Sequence, residues 1–322
     1  MRRRDFIAGL AGVAGWSSKA HAQSGFRRYR VGMLDTSPRG LNPNFGALEQ
    51  ALRERGYIES QNLVFEYRSP GGHNESFAEL ARELVRLHVD VIVTRGTPAA
   101  FAAKAASSTV PVVMAAAGDP QTIIGSSPPA TNLTGFGASA AGAERKRVTI
   151  LKELLPKCER IAALMNLSNP SRRAEWSAVE EAARALGIAT QVVDPRTAEG
   201  IERAFESAAH FAADALVVGS DTLVQTNQSL VIRLAAMHRL PSIYTFRDFV
   251  EAGGLLSYGV SLPDLYRRAA GYVDSILKGA RPGDLPVQPP TAFETVLNLK
   301  TATALGLSVP DTFLQGAAEV IR

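Results

Sequence analysis

Val89-Asp90-Val91-Ile92-Val93 runs on into Gly96-Thr97-Pro98, and about 125 residues later Ala213-Asp214-Ala215-Leu216-Val217 runs on into Gly219-Ser220-Asp221-Thr222. Both are nearly continuous apolar runs, the pattern of a parallel strand covered by helices on both faces. The match extends outward in both directions. Arg30-Val31-Gly32-Met33-Leu34 answers Arg160-Ile161-Ala162-Ala163-Leu164, and the helix tail Ala51-Leu52-Arg53-Glu54-Arg55-Gly56 answers Ala182-Ala183-Arg184-Ala185-Leu186-Gly187. Val110-Pro111-Val112-Val113 answers Leu240-Pro241-Ser242-Ile243. The middle of the chain is thus written twice in one order, which predicts an α/β protein of two doubly wound parallel-sheet lobes with a ligand held between them.

In the first copy strands are expected at 31–35, 62–67, 89–95 and 110–115, with helices at 43–56, 74–87 and 97–107. Phe77, Leu80, Ala81, Leu84 and Val85 recur at helical spacing, so the second of these helices buries one stripe. The second copy repeats the pattern, with strands at 161–166, 189–194, 214–219 and 241–244 and helices at 170–186, 198–210 and 225–238. A third portion matches neither copy. It reads as a strand at Leu255 to Gly259, a helix from Pro263 to Gly279, an extended Leu285-Pro286-Val287-Gln288-Pro289-Pro290, a further strand and a short helix. Proline disfavours helix and stiffens the extended stretch, which suits a connector. Crossings between lobes are expected near 138–145, 257–262 and 286–292 as three parallel connectors. They place 26–141 with 258–288 in one lobe and 142–257 with 289–322 in the other.

The 322 residues fit two cores of ordinary size, and 46% hydrophobic with 20% charged residues is the composition of a folded globular protein. Residues 1–22 have the order of an export signal: a basic start, an uncharged stretch from Phe6 to Ser18, and Ala20-His21-Ala22 as the cleavage site. Arg3-Arg4-Asp5-Phe6-Ile7 is similar to a twin-arginine signal, with Arg2 where that pattern has Ser or Thr. The segment carries three of the four net positive charges, so the remainder has no electrostatic case for nucleic acid. Periplasmic localisation is the expectation. Cys158 is the sole cysteine, which excludes an internal disulfide and reads as an inert thiol.

In open α/β sheets ligands sit beyond the carboxyl ends of the strands, where the following helices present free N–H groups. Ser37-Pro38, Thr97-Pro98, Asp119-Pro120 and Asn169-Pro170 each set a capping residue before proline, a helix-start signal, at such positions. Helix starts favour an anion, whereas Asp119 and Asp221 at strand ends favour a cation such as an ammonium group. Together they suit a zwitterion. Tyr244, Phe246, Tyr258 and Phe136, near strand ends and crossings, are candidate aromatic walls. His21, His73, His88, His210 and His238 are scattered, and neither a nucleophile elbow nor a nucleotide-binding glycine loop is present in the mature sequence. No catalysis, cofactor or metal is expected.

These blocks, in this order, are similar to the substrate-binding proteins of bacterial ABC importers, in the branch that includes tryptophan-type binding proteins. The resemblance covers the whole mature chain. It is carried by Leu52-Arg53-Glu54-Arg55-Gly56-Tyr57, Gly96-Thr97-Pro98-Ala99-Ala100, Gly118-Asp119-Pro120, Asn132-Leu133-Thr134-Gly135, Leu216-Val217-Val218-Gly219-Ser220-Asp221, Gly253-Gly254-Leu255-Leu256-Ser257-Tyr258-Gly259 and Asn298-Leu299-Lys300-Thr301-Ala302. It implies the type I periplasmic-binding-protein fold, two lobes joined by three crossover strands. It also implies a monomer that passes a small molecule, an amino acid or related aromatic or carboxylated compound, to an ABC permease. The cleft it implies is lined by Ser37, Thr97, Pro98, Ala99, Asp119, Asn166, Asn169, Ser220, Asp221, Tyr244 and Tyr258. One stretch departs from the family: Gln121 to Thr131 is shorter than the usual helix and Gly-Gly turn. A sensor feeding a membrane kinase would share these residues, and a two-lobed cleft enzyme is the remaining alternative. A repressor of similar architecture would begin with a helix-turn-helix, which this sequence lacks.

Overall fold

A computed structural model describes residues 27–118, 120–125, 132–139 and 142–322. The proposed export signal and Asp119 lie outside these residues. The first sheet contains β1 (Tyr29–Leu34), β2 (Leu63–Arg68), β3 (Val91–Arg95), β4 (Val112–Ala117) and β5 (Leu133–Gly137), in the order β2-β1-β3-β4-β5. All its pairings are parallel. The second contains β6 (Arg160–Leu164), β7 (Ala189–Val193), β8 (Ala215–Val218), β9 (Ser242–Tyr244), β10 (Leu256–Gly259), β11 (Glu294–Asn298) and β12 (Glu319–Ile321). Its order is β12-β11-β10-β9-β8-β6-β7, with β10 and β11 antiparallel. The order β2-β1-β3 in one sheet is repeated as β7-β6-β8 in the other, so each has its strand-order reversal at the corresponding place.

Every residue of β3 and β4 is buried, as strands between two helical layers are, although β3 ends in Thr94 and Arg95. Phe77, Ala81 and Leu84 of the helix Phe77–Arg86 are fully covered, while Leu80 and Val85 pack at the edge of the same core. In the second lobe β6, β8 and β9 carry the two cores on opposite faces of the sheet.

The third portion accounts for how the lobes are joined. After β10 in the second sheet, the helix Leu262–Leu277 returns to the first and buries Leu265, Tyr266, Ala269 and Val273 in one cluster with Val31, Leu48, Val91 and Val113. A fully buried side chain of this size contributes about 1.5–3 kcal/mol, so the returning helix is an integral part of the first core. The proline-rich stretch then pairs with β5, Gln288 N donating to Gly135 O at 2.9 Å and Gly137 N to Gln288 O at 2.8 Å, before the chain enters β11. The connectors are not all parallel as expected. Three successive crossings must alternate in direction, and the antiparallel β10–β11 pair records that alternation.

Candidate functional site

The carboxyl ends of β1 and β3 in one lobe face those of β6 and β8 in the other across a cavity of about 50 Å³. That is room for only a few water-sized bodies. The lobes touch across it: Thr97 Oγ and Ser171 Oγ are hydrogen-bonded at 2.8 Å. Gly118 makes this approach possible, because a Cβ there would lie 2.6 Å from Ser171 Oγ and 2.7 Å from Thr97 Oγ.

The helix start at Thr97 differs from the sequence expectation. Gly96 is the N-cap, with φ of 86°, a conformation glycine adopts without strain, and the helix Thr97–Ala106 begins one residue earlier than the Thr97-Pro98 signal implied. Thr97 Oγ is thereby free of capping and accepts from Gly118 N at 3.1 Å. Ser37-Pro38 leads only into the short 3-10 turn Arg39–Leu41, without a side-chain cap. Asn169 behaves as expected, its side chain accepting from Ser171 N at the start of Pro170–Ala185. Asp221 caps Thr222–Thr226 through Oδ1, which accepts from Val224 N at 2.9 Å.

Of the residues implied by the family resemblance, Thr97, Pro98, Asn169, Ser220 and Asp221 line the cavity together. Ser37, Ala99 and Asn166 are buried behind its wall. Ser37 supports Asp35 and Arg95, Ala99 packs in the first core, and Asn166 Oδ1 accepts from Ser168 and Arg196. Tyr244 is not a cleft residue. It stacks on Phe249 at 4.8 Å inside the second core, because its strand position points it away from the facing lobe. Tyr258 also turns aside, stacking on Phe293 at 5.5 Å, and reaches the site only through its carbonyl, which accepts from Arg147 Nε at 2.8 Å. Phe246 does line the cavity, whereas Phe136 packs in the first core. Asp119 cannot be placed, since it falls outside the described residues.

The sequence reading missed the site's charged groups. Arg95, Glu144, Arg147, Arg172 and Glu175 all line the cavity, and all are buried. Glu144 pairs with Arg147 and Arg172 with Glu175, each three residues apart on one helix. In sequence such pairs look like ordinary solvated salt bridges. Arg95 left a faint signal as a cation ending an otherwise apolar strand.

Among the described residues, Arg95 Nη2, Arg172 Nε and Nη1, Glu144 Oε2, Glu175 Oε2 and Asp221 Oδ2 have no hydrogen-bond partner. Buried polar atoms left unpaired are costly, and six of them around one cavity point to a solute that supplies both donors and acceptors. Burial pushes the Asp221 carboxyl up to about 6, opposed by Val224 N–H, Arg172 and Asn166. Burial also raises Glu175, with Arg172 opposing and Glu144 reinforcing the rise. The Cys158 thiol is buried away from the cavity and pushed up to about 11, as an inert thiol would be. Among the described residues no cluster of His, Cys, Asp and Glu has the form of a metal site.

Residues 37–321 match the family model described as ABC transporter substrate binding protein. A tyrosine-binding protein of Clostridioides difficile is 24% identical over 261 residues, 80% of this chain and 75% of that protein. A conserved domain protein from Vibrio cholerae superposes with a TM-score of 0.84 at 25% identity, over 91% of this chain and all of that one. An ABC domain from Streptococcus pneumoniae in complex with L-Trp gives 0.82 at 25% identity, with the same coverage.

Proposed function

The chain belongs to the family of ABC transporter substrate-binding proteins, and from that premise we propose that it is an extracytoplasmic receptor for an amino acid or a related aromatic or carboxylated compound. The observation that carries the ligand class is the interlobe cavity with unpaired buried guanidinium nitrogens and carboxylate oxygens together on its wall. A zwitterion offers an ammonium with three donors and a carboxylate acceptor, the two chemistries these atoms lack. The tyrosine and tryptophan ligands of the relatives support an α-amino acid, and Phe246 supplies one aromatic surface for a side chain.

The present cavity is too small for such a solute, so capture requires the lobes to open, admit it and close. The sheet β1 to β5 with the helix Leu262–Leu277 is one jaw and the sheet β6 to β12 the other, so the change of lobe expected at 257–258 falls just after β10. Residues 1–22 direct export to the periplasm, where the closed monomer presents its solute to a membrane permease. The function is delivery without turnover, in keeping with a family of solute binders.

Native mass spectrometry of the purified protein and a thermal-shift panel of the twenty amino acids test this reading. A mass increment matching one amino acid per chain, and a rise in Tm with the same compound, is the expected result. No shift with any amino acid, or recovery of a chemically altered compound, contradicts it.

A further inference from the structure

We propose that the solute lies across the cleft in one orientation, with its anionic group on Arg95 of the first lobe and its cationic group on Asp221 of the second. This assignment rests on the zwitterion reading above and adds the residues that enforce it.

Arg95 ends β3 and is only 3% exposed. It has charge balance without close hydrogen bonds. Nη1 lies 3.8 Å from Asp35 Oδ1, Nη2 lies 3.9 Å from Asp248 Oδ2, and the hydrogen bond to Ser37 Oγ is 3.5 Å long. Asp35 is occupied by shorter bonds from Ser37 N at 2.9 Å, Asn42 Nδ2 at 2.9 Å and Tyr266 Oη at 2.5 Å. Asp35 and Asp248 therefore balance the charge of Arg95 without saturating its donors. Arg95 lines the cavity, and its Nη2 has no hydrogen-bond partner among the described residues, a state that favours a charge-assisted bond to a carboxylate.

The second lobe offers a complementary group. Asp221 spends Oδ1 on its helix cap and leaves Oδ2 unpaired among the described residues, while Glu144 and Glu175 stand beside it. Arg147 is paired with Glu144 and Arg172 with Glu175, which leaves Asp221, among the described lining, as the second lobe's carboxylate outside an ion pair. From the first lobe the described lining contributes Arg95 and no acid. The cleft thus offers an unpaired guanidinium nitrogen on one jaw and an unpaired carboxylate oxygen on the other, and a solute bearing both charges bridges them one way round.

Titration calorimetry first identifies the tightest of the twenty L-amino acids. That compound is then compared with its α-amide, which lacks the anion, and its des-amino analogue, which lacks the cation. The wild-type protein is expected to prefer the parent over each by about 100-fold, the scale of a lost buried charge pair. In Arg95→Gln the preference over the amide falls to about 3-fold, while the preference over the des-amino compound persists. Asp221→Asn, which retains a capping side chain, gives the converse. These ratios are taken from folded protein and are insensitive to a general loss of stability, which Tm reports separately. An unchanged acid-to-amide ratio in Arg95→Gln overturns the assignment, as does loss of the amine preference in Asp119→Asn instead of Asp221→Asn. Binding by none of the twenty overturns the zwitterion reading itself.

Discussion

Asp221, which lines the cavity, divides its work between two oxygens, one capping the start of the helix Thr222–Thr226 and one left unpaired among the described residues, and burial makes its ionisation expensive. Its carboxyl is raised from 3.8 to about 6 in the folded protein, so the folded state binds the proton more tightly than the unfolded chain. Stability from this group is fully present below pH ~4 and is lost as pH rises through ~6, a difference on the order of 3 kcal/mol. Asp221→Asn keeps the cap and removes the titration. Urea unfolding of the empty protein should show the variant more stable than wild type at pH 7 and about equal to it at pH 4. An equal difference at both pH values would remove the buried-charge account. The sequence singled out Asp221, Thr97, Asn169 and Ser220 because strand ends and caps are local patterns. It did not single out Glu144, Arg147, Arg172 or Glu175, because nothing in a helical i, i+3 ion pair says whether that face meets water or another lobe.

Strands and helices were largely legible, and the misses have specific causes. β5 reads Leu-Thr-Gly-Phe-Gly, too short and glycine-rich to signal a strand, yet β4 accepts it closely because Gly135 has no side chain: a Cβ there would lie 2.2 Å from Met114 O. β12 has only three residues and depends on β11 for its pairing. Gly259 closes β10 at a crossing, where a Cβ would come within 1.8 Å of Thr245 O. Gly259→Ala must push the β10 end off the β9–helix turn, and a loss of about 1–3 kcal/mol, the usual cost of overpacking, is expected in urea unfolding. A wild-type midpoint in that variant would show that the crossing has slack enough for a methyl group.

At the scale of the molecule, duplication was the readable feature, since two copies of one α/β pattern imply two facing sets of strand ends. The degree of closure was not readable, because it depends on contacts such as Thr97–Ser171 that join residues far apart in sequence. Gly118→Ala places a methyl against both hydroxyls and should disfavour contact between the jaws. Small-angle scattering at saturating amino acid is expected to give a larger radius of gyration for this variant than for wild type, with affinity reduced about 10-fold. Equal radii would mean that this contact is incidental to closure. Hydrogen exchange on binding tests the central claim, a solute held by both jaws at once, most directly. With the best-binding amino acid, backbone amides around Thr36 and Gly96 in one lobe and around Ser220 and Thr222 in the other should become protected together. Protection confined to one lobe, or found away from this cleft, would contradict it.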